Sequence, residues 1–195
     1  MLILRYYVRF IRVNNMDIVK YEEGKSCKEI AFVFACPGRV EADADNGKGR
    51  VCAGKTGDNL EKLIRKLNEK EPELFQIPNG NNEDRYEYLI TNSYDGVLYK
   101  DKDRRTQPYI REIKNEENIK RLSRELKGCK IIIAMGKKAE VAIKELEKQK
   151  LLNEKRIAFS RHLGLQSLNP WKKGRTLDEK IEFLAKQIFE DIKKQ

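Results

Sequence analysis

"EIAFVFACPGRVEADADNGKGRVCAGKTGDNL" (Glu29–Leu60) changes character twice within one stretch. Its first part is an apolar run closed by Pro37-Gly38, the pattern of a buried strand over about 30–36 that ends in a turn. Residues 40–57 then lose all periodicity and are rich in Gly and Asp, which reads as a long loop. From Asp58, a fair N-cap, Leu60, Leu63, Ile64 and Leu67 fall on one stripe of a helix. Strand, glycine-bearing loop and helix make the opening of an α/β unit.

The rest of the chain repeats the alternation. "YEYLITNSYDG" contains a second strand, about 86–92, and "NIKRLSREL" a helix. "CKIIIAMGKKAEVAIKELEKQ" reads as strand, Gly136 and helix, with Ala139, Ala142, Ile143 and Leu146 facing inward. "KRIAFSRHLG" is a fourth strand ending at His162, and "LDEKIEFLAKQIFEDIKK" a C-terminal amphipathic helix. Between them, "IPNGNNEDR" reads as a loop and "KDKDRRTQPYIREIKNE" as an exposed charged segment. Strands alternating with helices predict an α/β fold, a three-layer α/β/α sandwich around a central four-stranded, mainly parallel sheet, in one domain over 1–195. Such sheets bind ligands beyond the carboxyl ends of their strands. That names four places: Pro37-Gly38, Asn92, Gly136 and His162.

Charge points to the class of partner. Lys and Arg number 41 against 31 Asp and Glu, a net charge of +10. A surplus of this size suits a polyanion, nucleic acid before an anionic membrane surface. Cys27, Cys36, Cys52 and Cys129 form no C-x-x-C, and His162 is the one histidine, so no zinc site is expected. The cysteine spacing suits reduced thiols in a cytoplasmic protein. No apolar run approaches the roughly 20 residues of a membrane span. The opening "MLILRYYVRFIRVNN" (1–15) carries arginines through its apolar part, a poor signal peptide. It reads as a peripheral extension: a first strand, or residues upstream of a start at Met16.

Gly49–Thr56, "GRVCAGKT", satisfies the phosphate-loop pattern G-x-x-x-x-G-K-[ST] letter for letter. A phosphate loop needs a strand running into its first glycine, and here "EADADNGK" precedes it, acidic and glycine-bearing. A second apolar strand ending in Asp, to hold magnesium, is not evident. A phosphate-loop nucleotide enzyme is therefore the weaker of the alternatives.

Taken together, the four strand ends are similar to the motifs of the uracil-DNA glycosylase superfamily, over roughly residues 28–170 and in the same order. "FVFACPGRVEADADNGKGRVCAGKTGDNLEKL" resembles that family's Pro-Gly turn, acidic loop and G-[RK]-x-F-x-G-x-x-G-x-x-L segment; "YLITN" resembles its Thr-Asn strand end; "CKIIIAMGKKAEVAI" its strand, Leu-Gly and Ala-rich helix; "IAFSRHLGLQSLN" its strand and His-Pro-Ser. The closest resemblance is to the thermophile-type bacterial and archaeal branches. It implies a monofunctional DNA glycosylase of base excision repair, which flips a uracil or related deaminated base out of DNA and leaves an abasic site. Asn92 would read the base edge, and Pro37, Gly38 and Cys52 would line its pocket. His162 would stabilise charge on the leaving base. Glu41, Asp43 or Asp45 would supply a carboxylate for the sugar cation or the water, Glu41 and Asp43 lying nearest the family's acidic positions. Lys48, Arg50, Lys55 and Arg161 would meet phosphates, and Leu163 or Leu165 would be the wedge entering DNA.

Three departures stand out. Cys52 occupies the family's stacking Phe position. Ala35-Cys36 precedes Pro-Gly where several branches place a polar or acidic group, and His-Leu-Gly replaces His-Pro-Ser. The cysteines of the iron–sulfur branches are missing, so no cluster, and no other cofactor, is expected. These departures keep open a catalytically silent member that binds nucleic acid or a free base. The expected assembly is a monomer on DNA.

Overall fold

Ile131, Ile132 and Ile133 are consecutive and all essentially inaccessible to solvent. Only a strand covered by helices on both faces buries neighbouring side chains in this way. The computed structural model, which describes residues 18–75, 77 and 84–195, builds the fold around that strand. The expected extension at 1–15 and most of the loop over 77–85 lie outside the described residues.

In chain order the elements are β1 (Cys27–Phe34), α1 (Arg39–Gly47), α2 (Lys55–Lys70), α3 (Pro72–Phe75), β2 (Tyr88–Asn92), α4 (Lys100–Asp103), α5 (Ile110–Ile113), α6 (Glu116–Glu125), β3 (Ile131–Met135), α7 (Lys137–Lys148), β4 (Arg156–Ser160), α8 (Leu165–Leu168) and α9 (Leu177–Lys193). The four strands form one sheet in the order β2-β1-β3-β4, and every pair is parallel. Parallel neighbours need crossovers, which the helices supply on both faces, giving the α/β/α sandwich.

Strand alternation divides the core into two. Phe32, Phe34, Tyr88, Ile90, Ile131, Ile133 and Ala158 face α2 and α9 with Leu60, Leu63, Leu67, Leu184 and Ile188. Ala31, Val33, Leu89, Ile132, Ala134 and Ile157 face α6 and α7 with Ile119, Leu122, Ala139, Ala142, Ile143 and Leu146. Each fully buried leucine or isoleucine contributes on the order of 1.5–3 kcal/mol from burial. The helical stripes expected in 58–70 and 137–148 are therefore the faces that hold both layers to the sheet.

Several boundaries differ from the sequence reading. The first strand ends at Phe34, because the Ser93 backbone N–H donates to the Phe34 carbonyl and the Ser93 hydroxyl to Ala35, so the backbone beyond is taken up by the β2 loop. The span 40–57 is not all loop. Its first residues form α1, and regular geometry stops at Ala44, after which Asp45 and Asn46 take left-handed angles. The helix at Leu60 begins at Lys55 with Gly54 as its N-cap, not at Asp58. Asp58 instead sits in the first turn beside Lys55 (3.2 Å), where the helix's positive end favours it. The charged segment over 100–116 is exposed for the most part, but Ile113 is buried against α6 and α7.

Gly57 sets how close α2 comes to the preceding loop. A Cβ there would lie 1.8 Å from the Cys52 carbonyl oxygen, which no rearrangement of a side chain relieves. Gly57→Ala is expected to destabilise the fold by roughly 1–3 kcal/mol, as overpacking does, read as a lower urea midpoint with an unchanged slope.

Candidate functional site

A cleft of about 1180 Å³ opens at the carboxyl end of the sheet, where parallel α/β folds bind ligands. Its walls come from sequence-distant segments: Phe34, Cys36, Gly38 and Glu41 after β1; Cys52, Lys55 and Thr56 of the glycine loop; Met135 and Gly136 after β3; Ser160, Arg161, His162 and Leu165 after β4. Tyr99, Thr106 and Gln107 close the far side. Five basic side chains line it (Arg39, Lys55, Lys137, Lys138, Arg161) against two acidic ones (Glu41, Glu140), so the cleft attracts anions.

His162 follows β4 by two residues and is held rather than loose. Its Nδ1 accepts a hydrogen bond from the Gly164 backbone N–H at 2.9 Å. An accepting Nδ1 carries no proton, so the ring is neutral with its hydrogen on Nε2. Burial also lowers the His162 pKa below the usual 6.5, in agreement with that form. The ring meets Phe34 edge to face, with centroids 5.9 Å apart. Gly136 and Gly164 let this ring sit where it does: Cβ atoms there would fall 2.9 Å from His162 Cβ and 3.0 Å from Nδ1. Gly136 also has φ +96°, a backbone that favours glycine. His162 Nε2–H is thus a preorganised neutral donor in a residue lining the cleft.

Glu41 plays a different part from the one expected of an acidic-loop carboxylate. One oxygen accepts from Gly38 N–H (2.7 Å) and the other from Cys52 N–H (2.8 Å). The carboxylate clasps the Pro-Gly turn to the glycine loop across eleven positions. Burial pushes its pKa up, and the two amide hydrogen bonds oppose that. Asp43 and Asp45 are exposed, Asp43 beside Arg39 at 3.5 Å, and neither lines the cleft. Glu140 is engaged by Lys137 and Lys144. Every carboxylate lining the cleft therefore already has a hydrogen-bonding partner.

The thiols are not nucleophiles at neutral pH. Burial pushes Cys36 up to about 12, helped by the Glu41 charge, and Cys52 well above its ordinary value. Cys52 is a buried residue of the cleft wall, with φ +54°, left-handed for a residue that has a Cβ.

Asn92 ends β2, paired in register with Phe34. It does not line the cleft itself. Its carbonyl accepts from Arg121 (2.9 Å), while its Nδ2 is buried with no partner. An orphaned amide donor costs about 1–3 kcal/mol and is a mark of a functional position. Ser160 Oγ, in the cleft wall, is likewise buried without a partner, and the sequence reading did not include it. Its position at the carboxyl end of β4, two residues before the histidine, was the available signal.

The remaining expected residues divide. Gly38, Lys55 and Arg161 line the cleft, whereas Pro37 is buried beneath it with its carbonyl bonded to Leu98 N–H. The Gly38 amide is committed to Glu41. Lys48 is exposed outside the cleft, and Arg50 lies on the Tyr86 ring (3.4 Å to the centroid) and against Glu22. Leu163 is fully buried and its carbonyl accepts from Asn59 (2.8 Å), so it is a core residue and not a wedge. Leu165, the other leucine that the sequence offered, is 42% exposed and lines the cleft. The phosphate-loop letters lack their structural context too. The residues running into Gly49 are a helical turn that breaks at Ala44 into left-handed backbone, not a strand, and the Cys52 N–H is tied to Glu41 rather than free to face a phosphate.

The chain's single histidine makes its state directly observable. The ring ¹⁵N spectrum should show the Nε2–H tautomer and a midpoint below 6.5. Between that midpoint and 6.5 the unfolded chain takes up a proton that the native ring resists, so stability should fall as pH is lowered through this window. Comparison of the chain with protein-family models and with curated proteins finds no match.

Proposed function

We propose that the cleft receives a base extruded from DNA and hydrolyses its N-glycosidic bond, with uracil or a related deaminated base as substrate and an abasic site as product. The observation that carries this reading is His162, a half-buried neutral imidazole whose one remaining donor belongs to a basic cleft. As the bond from the sugar breaks, its electron pair goes to the base, and negative charge develops on the ring carbonyl oxygens. A fixed N–H donor in a water-poor site stabilises that charge without reorganisation. A neutral donor also avoids leaving a buried cation when the site is empty. Asn92 does not line the cleft, but its unpartnered amide sits in register with Phe34, which does, and a base seated deeply enough against Phe34 to meet it would be accepted with the uracil O4 carbonyl and not with the cytosine amino group. The resemblance of the four strand ends to the uracil-DNA glycosylase superfamily points the same way.

A second reading has its own observation. Glu41 is engaged by two backbone amides and Asp43 faces solvent, so no carboxylate stands free in the cleft to orient water. This favours a protein that holds a base without excising it. In the excision reading, leaving-group stabilisation carries the chemistry and Glu41 shapes the pocket.

Incubation with uracil-containing single- and double-stranded oligonucleotides, followed by alkali, separates the two. Excision predicts strand breaks at uracil, reduced about 10²–10³-fold in His162→Ala. Glu41→Gln should lower stability by roughly 1–3 kcal/mol, since one of its two amides loses an acceptor, and activity should follow folded fraction. The absence of breaks at uracil, hypoxanthine and xanthine alike would contradict excision.

A further inference from the structure

The segment after α8, "PWKKGR" (Pro170–Arg175), ends the cleft with an aromatic surface that the chemistry above does not use. Trp171 lines the cleft and stands edge to face with Phe183 of α9, centroids 5.5 Å apart. Phe183 is 40% exposed, unusual for a phenylalanine on a helix whose other apolar face is buried. Cations approach both rings: Arg161 lies over Trp171 (5.1 Å) and Lys173 over Phe183 (5.3 Å). Lys172 and Arg175 flank them and are exposed. Among the described residues none of these four cations has an acidic partner. The acids nearby are engaged elsewhere: Glu179 accepts from the Arg175 and Thr176 backbone, Asp178 pairs with Lys62 and Glu182 with Lys66 and Lys70.

The surface is also held in place. The buried Lys180 donates to the Leu168 (2.8 Å) and Asn169 (3.2 Å) carbonyls, pinning the turn that carries Trp171 to α9. The Trp171 N–H closes that turn on Leu168. Gly174 (φ +83°) brings the following chain against Glu179 and Lys180 so closely that a Cβ would lie 3.0 Å from each.

A half-buried tryptophan on the cleft rim, backed by an exposed phenylalanine and surrounded by cations that have no acidic partner (Arg161 donates only to the Ser167 carbonyl), is the chemistry of single-strand recognition. Bases stack on the ring faces, sequence-tolerantly, while the cations follow the phosphates. In a duplex the base faces are already stacked and closed to such a surface. We propose that Trp171, backed by Phe183 and surrounded by Arg161, Lys172, Lys173 and Arg175, is a stacking platform for a base of single-stranded DNA beside the cleft. The proposal deepens the excision reading by naming the form of DNA held next to the pocket, and it rests on that reading for the choice of DNA over RNA.

Trp171 is the chain's only tryptophan, so its fluorescence reports the platform alone. Titrating the full chain with oligothymidylate should quench it, with an affinity that falls steeply as salt rises. By anisotropy of a labelled strand, Trp171→Ala should bind on the order of tenfold to a hundredfold more weakly, and Trp171→Phe should recover most of the loss. The double variant Lys172→Glu, Lys173→Glu, at exposed positions that leave the fold intact, should weaken binding and flatten its salt dependence. Oligouridylate run alongside assigns the sugar, and binding of either single strand supports the platform. No quenching, equal binding of a matched duplex, or affinity unchanged in both the tryptophan and the double-lysine variants overturns it. Oligothymidylate offers no deaminated base, so this result is separate from excision: failure to cleave at uracil contradicts the excision reading and leaves the platform standing.

Discussion

One carboxylate joins the parts of the site. Glu41 accepts hydrogen bonds from Gly38 and Cys52, two amides that would otherwise be buried without acceptors where the chain leaves β1 and where it enters α2. That clasp folds Arg39–Gly47 back on itself, brings the glycine loop under the Pro-Gly turn, and helps hold Cys52 in a left-handed conformation that its side chain resists. Gly57 then allows α2 to begin against the Cys52 carbonyl. The wall of the cleft beside Phe34 exists because these contacts hold together. A carboxylate engaged in this way is structural first, whatever chemistry occurs beside it.

The opposite wall is built from glycines around an imidazole. Gly136 turns the chain after β3 so close to His162 that a Cβ would lie 2.9 Å from the histidine Cβ, and Gly164 donates to Nδ1 from a backbone whose Cβ would lie 3.0 Å from that atom. The result is a neutral ring with a known tautomer and a single donor. Preorganisation of that kind is what stabilisation of a leaving base requires. On the far rim the constraint is electrostatic: cations with no acidic partner among the described residues surround Trp171 and Phe183. The cleft and this aromatic rim are adjacent parts of one basic face.

Much of this was legible from residue order. The Ile131–Ile133 run, the stripe at Leu60, Leu63, Ile64 and Leu67, and the stripe after Gly136 carry the period of their elements and so announced the parallel sandwich. The strand ends followed, and with them Asn92, Gly136 and His162. What stayed hidden depends on contacts between distant residues. The Asp, Asn and Gly of "VEADADNG" read as loop, whereas Glu41 and Ala42 favour a helical first turn that the Glu41 bond to the Gly38 N–H caps. Leu163 and Leu165 are the same residue two positions apart, and packing alone, with Asn59 reaching the Leu163 carbonyl, puts one in the core and leaves the other on the rim. Arg50 looked like a phosphate contact because charge does not reveal that Tyr86 lies beneath it. Trp171 was passed over because a lone tryptophan has no period.

The proposed excision of uracil requires that His162 and Asn92 meet the same base. Side-chain amide and ring signals of these two residues, followed by NMR while the protein is titrated with a single strand bearing one uracil and with the same strand bearing cytosine, test it most directly. If both residues read the base, the Asn92 Nδ2–H₂ and His162 Nε2–H signals both shift with the uracil strand and stay in place with the cytosine strand. Uracil-induced shifts at His162 with Asn92 unmoved, or equal responses to the two strands, would contradict that reading.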